Sequence, residues 1–284
     1  MRLLILEPDS KYQSWRGWGQ GAAFIAITDS IANLGDGCST APGWEIVRNA
    51  KSVVVLTGAG ISAESGIRTF RDTMEGLWKE FDAQRLATPK AFAADPALVS
   101  RWYDHRRVGC LNAEPNPGHL ALAAMQRWFT DRGRMFTLAT QNVDRLHQRA
   151  GSLDVLELHG NILTWRCTNT GTSMELPPEP REEFPVNSPF AKGGLLRPNV
   201  VWFGEAMPEA EMLAAETAAA SADVLLSIGT SAVVYPAAGL IDVCARAGGV
   251  TVEINPVRTA ASGRVDWVLA GKAGEVLPRL LREM

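Results

Sequence analysis

The run Val53-Val-Val-Leu-Thr-Gly-Ala-Gly-Ile-Ser-Ala-Glu-Ser-Gly-Ile-Arg-Thr-Phe-Arg-Asp72 governs the fold of this chain. Val53 to Leu56 is a short apolar run that ends at Thr57-Gly58, the pattern of a strand buried on both faces of a parallel sheet. Gly58-Ala59-Gly60-Ile61-Ser62-Ala63 follows as a G-x-G-x-x-A turn. Glycines there allow a tight turn and close approach to a phosphate, with a helix N-terminus behind them. Alone the pattern is weak, because a strand-to-helix turn with no ligand uses the same residues. A hydride-transferring dinucleotide fold would continue into a long helix, a second strand and an acid about 20 residues on. Glu64 to Asp72 is instead polar and broken by Gly66, which suits an arginine-bearing flap over a cofactor.

Outward from this run, Met135 to Ala139, Val224 to Ile228 and Gly249 to Ile254 read as further buried strands. Gly118 to Trp128, Glu209 to Ser221 and Ala237 to Ala247 carry helical patterns. Strands alternating with helices predict an α/β fold, a Rossmann-like parallel sheet covered on both faces. Residues 70 to 115 read as a helical module. Cys167 to Arg197 is rich in Pro, Glu, Ser and Gly and reads as a loop-rich insert. Residues 1 to 42 form an N-terminal extension of unknown structure, within which Ala22 to Leu34 fits a helix. Residues 43 to 284 read as the main α/β domain, with inserts at about 70–115 and 161–199.

The 284 residues suffice for one large α/β domain. A net charge of −3 does not suggest a nucleic-acid partner. No apolar stretch approaches the ~18 to 20 residues of a membrane span, and no targeting signal is legible. The expected location is therefore cytoplasmic. Cys38, Cys110, Cys167 and Cys244 form no C-x-x-C pair, so no disulfide framework is expected.

The run from Gly58 to Asp72 closely resembles the NAD-binding loop of sirtuins, and the match recurs in order. Thr140-Gln-Asn-Val-Asp144 with Leu146-His147 resembles the family's T-Q-N-[IV]-D-x-L-H, and Leu158-His159-Gly160 its catalytic H-G. Val200-Val-Trp-Phe-Gly-Glu205 is similar to its substrate-binding strand. Gly229-Thr230-Ser231 and Ile254-Asn255-Pro256 resemble its later cofactor contacts. The resemblance spans roughly residues 43 to 284.

That resemblance implies an NAD-dependent protein-lysine deacylase acting on acylated-lysine proteins or peptides. The acyl-lysine carbonyl oxygen would displace nicotinamide from its ribose, and the products would be nicotinamide, O-acyl-ADP-ribose and free lysine. His159 would be the general base toward the ribose hydroxyls, a role suited to neutral imidazole. Asn142 would orient a water or the ribose, and Gln141 would hold ribose hydroxyls. Asp144 would accept from the nicotinamide amide. Phe70 would shield the sugar, and Arg71 would fix the flap and diphosphate. Gly58, Ala59, Gly60, Ile61, Glu64, Ser65, Thr69, Gly229, Thr230, Ser231, Asn255, Pro256 and Ala273 complete the implied cofactor contacts. Val201, Phe203, Gly204 and Glu205 would line the substrate. Read only as residue types, Asn142 and Asp144 equally fit a helix cap, the glycines simple turns and His159 a structural role. His147 is expected to be structural, and His105 and His119 receive no role.

Tyr103-Asp104-His105-Arg106 bears on the acyl group. Positions i and i+3 share a helix face, where Arg106 could grip a carboxylate with two hydrogen bonds and Tyr103 could add a third. This resembles the Y-x-x-R of sirtuins that remove succinyl and malonyl groups, and Ala87 resembles the small residue that leaves room for the longer chain. Composition alone would make Arg101, Arg106 and Arg107 a solvated basic face. The family's four zinc cysteines are reduced to Cys167, since Asn187 to Lys192 holds none, so no structural zinc is expected. Leu163, Trp165, Met174, Leu176, Phe184, Val186, Phe190, Leu195 and Leu196 are available to hold the insert as an apolar pad, the alternative being a mobile insert. Two other readings stay open: an NAD hydrolase or mono-ADP-ribosyltransferase, and a silent NAD-binding module.

Overall fold

A computed structural model describes residues 4–5, 23–26, 42–67 and 83–284. A seven-stranded parallel sheet runs in the order β2 (Ala23–Ala26), β12 (Trp267–Ala270), β11 (Val250–Asn255), β9 (Val224–Ile228), β3 (Ser52–Thr57), β4 (Met135–Thr140) and β5 (Leu156–Glu157). The expected strand at Val53 is thus central: Val53 pairs with Phe136 on one side and Val224 on the other. Its side chains alternate between two cores. Val53 and Val55 pack beneath the helices Pro117–Thr130 and Ala273–Arg282. Val54 and Leu56 face the helices Glu209–Ala220 and Gly239–Arg246. Burial on both faces is why the sequence there is continuously apolar rather than alternating.

The helical expectation for Ala22 to Leu34 fails where the structure describes it. Ala23–Ala26 is a strand paired in parallel with β12, Ala23 opposite Trp267. A short apolar run suits either state, and pairing with a sheet edge decides it. The strands β1 (Leu4–Ile5) and β10 (Val234–Tyr235) pair antiparallel apart from this sheet.

The helical module contains Ala83–Leu86, Pro89–Ala94 and Pro96–Asn112. Proline opens the last two, and the Thr88 and Asp95 side chains accept from the N–H groups of Ala91 and Leu98. The insert is more regular than its composition suggests. An antiparallel sheet joins β6 (Gly160–Cys167), flanked by β7 (Ser173–Glu175) and β8 (Leu196–Val200).

Among the described residues no group of three or more His, Cys, Asp and Glu could hold a metal. Among the described residues Cys110, Cys167 and Cys244 are free thiols, so the insert offers Cys167 alone where a zinc site needs four donors. An apolar pad takes up the insert instead. Trp165, Leu176, Val186 and Leu196 are buried in one cluster with Phe92, Trp102 and Trp202, and Leu163, Met174, Phe184 and Leu195 pack on it. Phe190 departs from the expected set, at 39% exposed.

A buried ion pair adds to the pad. Arg107, wholly inaccessible, meets Asp104 at 2.8 Å and donates to the carbonyls of Pro177 and Glu179. Asp104 also accepts from the backbone N–H of Arg181. Arg107 is therefore no part of a solvated face.

Candidate active site

The turns after β3, β4, β9 and β11 converge at the carboxyl edge of the sheet, where open α/β folds bind ligands. Gly58 donates to the Ile228 carbonyl and Gly60 to the Gly229 carbonyl, at 3.0 and 2.7 Å. A Cβ on Gly58 would lie 2.7 Å from the Thr230 Cα, and one on Gly229, whose φ is +60°, would lie 2.5 Å from the Ile61 nitrogen. These two turns thus meet backbone to backbone, which only glycine allows. The helix behind them, Ala59–Ala63, is short and passes through a turn at Glu64 to Gly66. Thr69, Phe70 and Arg71 lie outside the described residues.

Beneath the turns sits a polar network centred on Ser62. Its hydroxyl donates to Asp144 Oδ2 at 2.7 Å and accepts from Asn142 Nδ2 at 3.1 Å. Asn142 Nδ2 also donates to the Gly58 carbonyl, and Asp144 Oδ1 accepts from the Leu146 N–H at the start of the helix Leu146–Arg149. Asp144 is not the cap of that helix, whose N-cap position is Arg145; one of its oxygens closes a local turn onto Leu146, while the other serves the network. Burial pushes the Asp144 carboxyl above the usual carboxylate range, opposed by its bonds from Leu146 and Ser62.

His119, which sequence reasoning left without a role, belongs to this network. Its Nδ1 accepts from the Asn116 N–H, so its proton sits on Nε2, 3.4 Å from the Ser62 hydroxyl. Asn116 caps the helix Pro117–Thr130 and donates to the Ile61 carbonyl and the Ser65 hydroxyl. The signal was available in the spacing of Asn116 and His119, a capping box. Glu64 turns away from the turn: its Oε1 accepts from the Gly274 N–H, next to Ala273 at the head of the last helix. His147 is buried, with Nε2 2.9 Å from the Thr57 hydroxyl, consistent with a structural role.

Gln141 bridges the two halves of the cleft. Its side chain donates to the Thr230 hydroxyl, and its carbonyl lies 3.0 Å from His159 Nδ1. A carbonyl only accepts, so Nδ1 carries the proton and Nε2 keeps its lone pair. That Nε2 is buried and has no hydrogen-bond partner among the described residues. Burial lowers the His159 pKa to about 4, with the Gln141 bond acting in the opposite direction. The imidazole is thus neutral and able to take a proton.

Gly160, at φ +70°, lets β6 press against β8, since a Cβ there would come 2.1 Å from the Asn199 carbonyl oxygen. The His159 carbonyl in turn accepts from the Val201 N–H at 2.9 Å. Asn255 donates to the Thr230 carbonyl, Ser231 is half-buried and Pro256 is exposed.

On the far side, Phe203 donates its N–H to the Ala87 carbonyl, and Ala87, Tyr103 and Trp202 share one buried cluster. Arg106 is half-buried with its guanidinium 5.0 Å from the Trp102 ring centroid, and its charge acts on both Tyr103 and Asp144. Gly204 holds φ +88°. The Glu205 carboxylate is spent internally, on Arg197 at 2.5 and 2.9 Å and on the Trp202 N–H at 2.9 Å.

Glycine-lined turns at a parallel sheet edge, beside a neutral imidazole with an open lone pair, define a dinucleotide-type α/β enzyme. The Sir2 family model matches residues 58–236. An NAD-dependent protein deacylase of Methylococcus capsulatus is 48% identical over 244 residues, covering 84% of this chain and 94% of the relative. NAD-dependent protein deacylase 2 of Pyrobaculum aerophilum is 49% identical over 242 residues, covering 84% and 94%. The crystal structure of a Sir2 homologue in complex with NAD superposes with a TM-score of 0.79 at 44% identity, over 84% of this chain and 91% of that one. This chain belongs to the Sir2 family of NAD-dependent protein deacylases.

Proposed function

We propose that this deacylase removes succinyl, malonyl or glutaryl groups from protein lysines as well as, or in preference to, acetyl. Its products would be nicotinamide, O-acyl-ADP-ribose and free lysine. Catalysis is assigned to residues 43 to 284, working in the cytoplasm; among the described residues no helix is long and apolar enough to cross a membrane. The observation that carries the acyl preference is the placement of Tyr103 and Arg106 one turn apart on the helix Pro96–Asn112, with Tyr103 buried and Arg106 half-buried. A guanidinium and a phenol on one helix face match a carboxylate, which accepts from both. Burial raises the Tyr103 pKa to about 12, so the phenol keeps its proton and remains a donor.

The cleft fits NAD on the ground that Gly58, Gly60 and Gly229 let two turns meet backbone to backbone at the carboxyl edge of the sheet, where a Cβ on any of them would clash. Gly58, Ala59, Gly60, Ile61, Ser65, Gly229, Thr230, Ser231, Asn255, Pro256 and Ala273 would hold it, with Glu64 shaping the turn through Gly274 and with Thr69, Phe70 and Arg71 supplied by the flap. When bound, NAD supplies the electrophilic ribose carbon and the hydroxyls that accept the acyl group. His159 takes the proton from a ribose hydroxyl at Nε2, while the Gln141 carbonyl keeps its ring oriented. Asn142 spends both Nδ2 hydrogens on the Gly58 carbonyl and the Ser62 hydroxyl, which leaves Oδ1 as the acceptor for a water or the ribose. Asp144, held by Ser62 and Leu146, meets the departing nicotinamide amide. The Val201 and Phe203 N–H groups are spent on His159 and Ala87, so their carbonyls, with Gly204, would meet the peptide, and Glu205 holds the Trp202 N–H.

Mass spectrometry of the products formed from acetyl-, malonyl-, succinyl- and glutaryl-lysine peptides tests this proposal. O-acyl-ADP-ribose and free lysine, formed fastest from the acidic acyl peptides, are expected. Free ADP-ribose alone would point to NAD hydrolysis, and ADP-ribosylated protein to a transferase. No nicotinamide release would mark a silent module.

A further inference from the structure

Trp202 contributes no charge and is 1% exposed, the profile of an ordinary core residue. Its polar atom is committed unusually. The indole Nε1–H donates to the Tyr103 hydroxyl oxygen at 3.0 Å. A buried indole N–H needs one acceptor, and in most cores a carbonyl serves. Here the acceptor is the phenol that the acidic-acyl reading places against the substrate. An indole only donates, so the Tyr103 oxygen accepts, and the phenol's own proton is left for another partner.

Every other freedom of the pair is removed. The Trp202 backbone N–H is held by Glu205, and the Arg197 guanidinium lies 3.2 Å from the indole ring centroid. Arg197 is itself gripped by both Glu205 oxygens. The Phe92 ring lies 5.3 Å from that of Trp202. Tyr103 is 1% exposed and packs edge-on to Trp102 at 4.5 Å. The torsion of its O–H bond is the one degree of freedom left, and the indole N–H occupies the lone-pair side.

We propose that Trp202 is a positioning residue for acyl specificity: by donating to the Tyr103 oxygen, it directs the Tyr103 proton toward the carboxylate of an acidic acyl chain. Glu205 and Arg197 form the brace that holds it there. This inference rests on the acidic-acyl reading of Tyr103 and Arg106. It adds an element which that reading lacks, a second aromatic residue that never touches the substrate carboxylate yet contributes to its selection.

The test is a double-mutant cycle of Trp202→Phe and Tyr103→Phe, with kcat and KM measured on succinyl-lysine and acetyl-lysine peptides. Trp202→Phe keeps an aromatic ring and removes only the indole donor and some volume. The expected result is a fall of about three- to tenfold in the succinyl-to-acetyl ratio of kcat/KM, the worth of one neutral hydrogen bond. It should be seen mainly in the succinyl KM and should vanish when Tyr103 is already Phe. A loss of equal size in both backgrounds, or equal on both acyl groups, overturns the inference while Tyr103 keeps its role. If Tyr103→Phe alone leaves the succinyl KM unchanged, the acidic-acyl reading falls and takes the inference with it. NMR of the wild-type protein gives a second readout free of folding defects. The Trp202 indole N–H resonance should shift on adding succinyl-lysine peptide more than on adding acetyl-lysine peptide, and equal shifts count against the inference.

Discussion

The Nδ1 of His159 lies 3.0 Å from the carbonyl oxygen of Gln141, and that contact fixes which ring nitrogen carries the proton. It also ties the imidazole to the strand end that presents Asn142 and Asp144. Replacing His159 with Ala removes its partner-free Nε2, while the glycine turns stay intact. A positioned general base contributes roughly 10²- to 10⁴-fold. His159→Ala should therefore lower deacylation by about that factor, with NAD binding by calorimetry and thermal unfolding close to wild type. A variant that turns over acyl-lysine at the wild-type rate would falsify the assignment.

The same histidine predicts an unusual pH profile. Burial holds its pKa at about 4, below the ordinary 6.5. The neutral form is the active one, so activity is lost only as pH falls through the lowered value. The acid limb of kcat/KM, which reports the free enzyme, should lie below 6.5 and shift toward 4. An acid limb at 6.5 or above would mean that the imidazole is better solvated, or paired with an anion, in the working enzyme.

Arg106 should separate the acyl classes. A hydrogen bond to a charged group is worth about 1.5–3 kcal/mol, roughly ten- to 150-fold. Arg106→Met should cut kcat/KM for succinyl-lysine by a factor in that range and change acetyl-lysine far less. Equal losses on both substrates would make Arg106 a general structural contact.

Much of this was legible in the residues, and the remainder has identifiable causes. Val53 to Leu56 reads correctly because burial on both sheet faces leaves a continuous apolar run. Ala23–Ala26 misleads because four apolar residues carry no period, and only the edge of β12 makes them a strand. The Y-x-x-R spacing places Tyr103 and Arg106 together, but Asp104 and Arg107 have the same spacing one position on. Nothing in that pattern says which pair faces the ribbon. His119 and Trp202 escape notice because their roles lie in what they donate to, Ser62 and Tyr103, each more than fifty residues distant in sequence. The flap from Thr69 to Arg71 lies outside the described residues, so its expected cofactor contacts have no geometry to compare.

The last prediction concerns how the ribbon holds together without thiolates. Purified protein should contain no stoichiometric zinc, and chelators should leave its unfolding temperature unchanged, because Cys167 is the one cysteine of the insert and an apolar cluster packs it. The polar part of the hold is the Asp104–Arg107 pair, in which the two side chains bind Pro177, Glu179 and Arg181 across the gap between helix and insert. Removing one member of a buried pair leaves the other uncompensated, at a cost of about 3–5 kcal/mol. Arg107→Met should therefore destabilise the protein by about that much in urea unfolding, and hydrogen exchange should rise first at the Arg181 amide, which Asp104 holds. Because Tyr103 and Arg106 share the helix, the variant should also lose succinyl selectivity as the ribbon loosens. About one tightly bound zinc per chain, or an Arg107→Met protein as stable as wild type, would show that something other than the pad and this pair carries the insert.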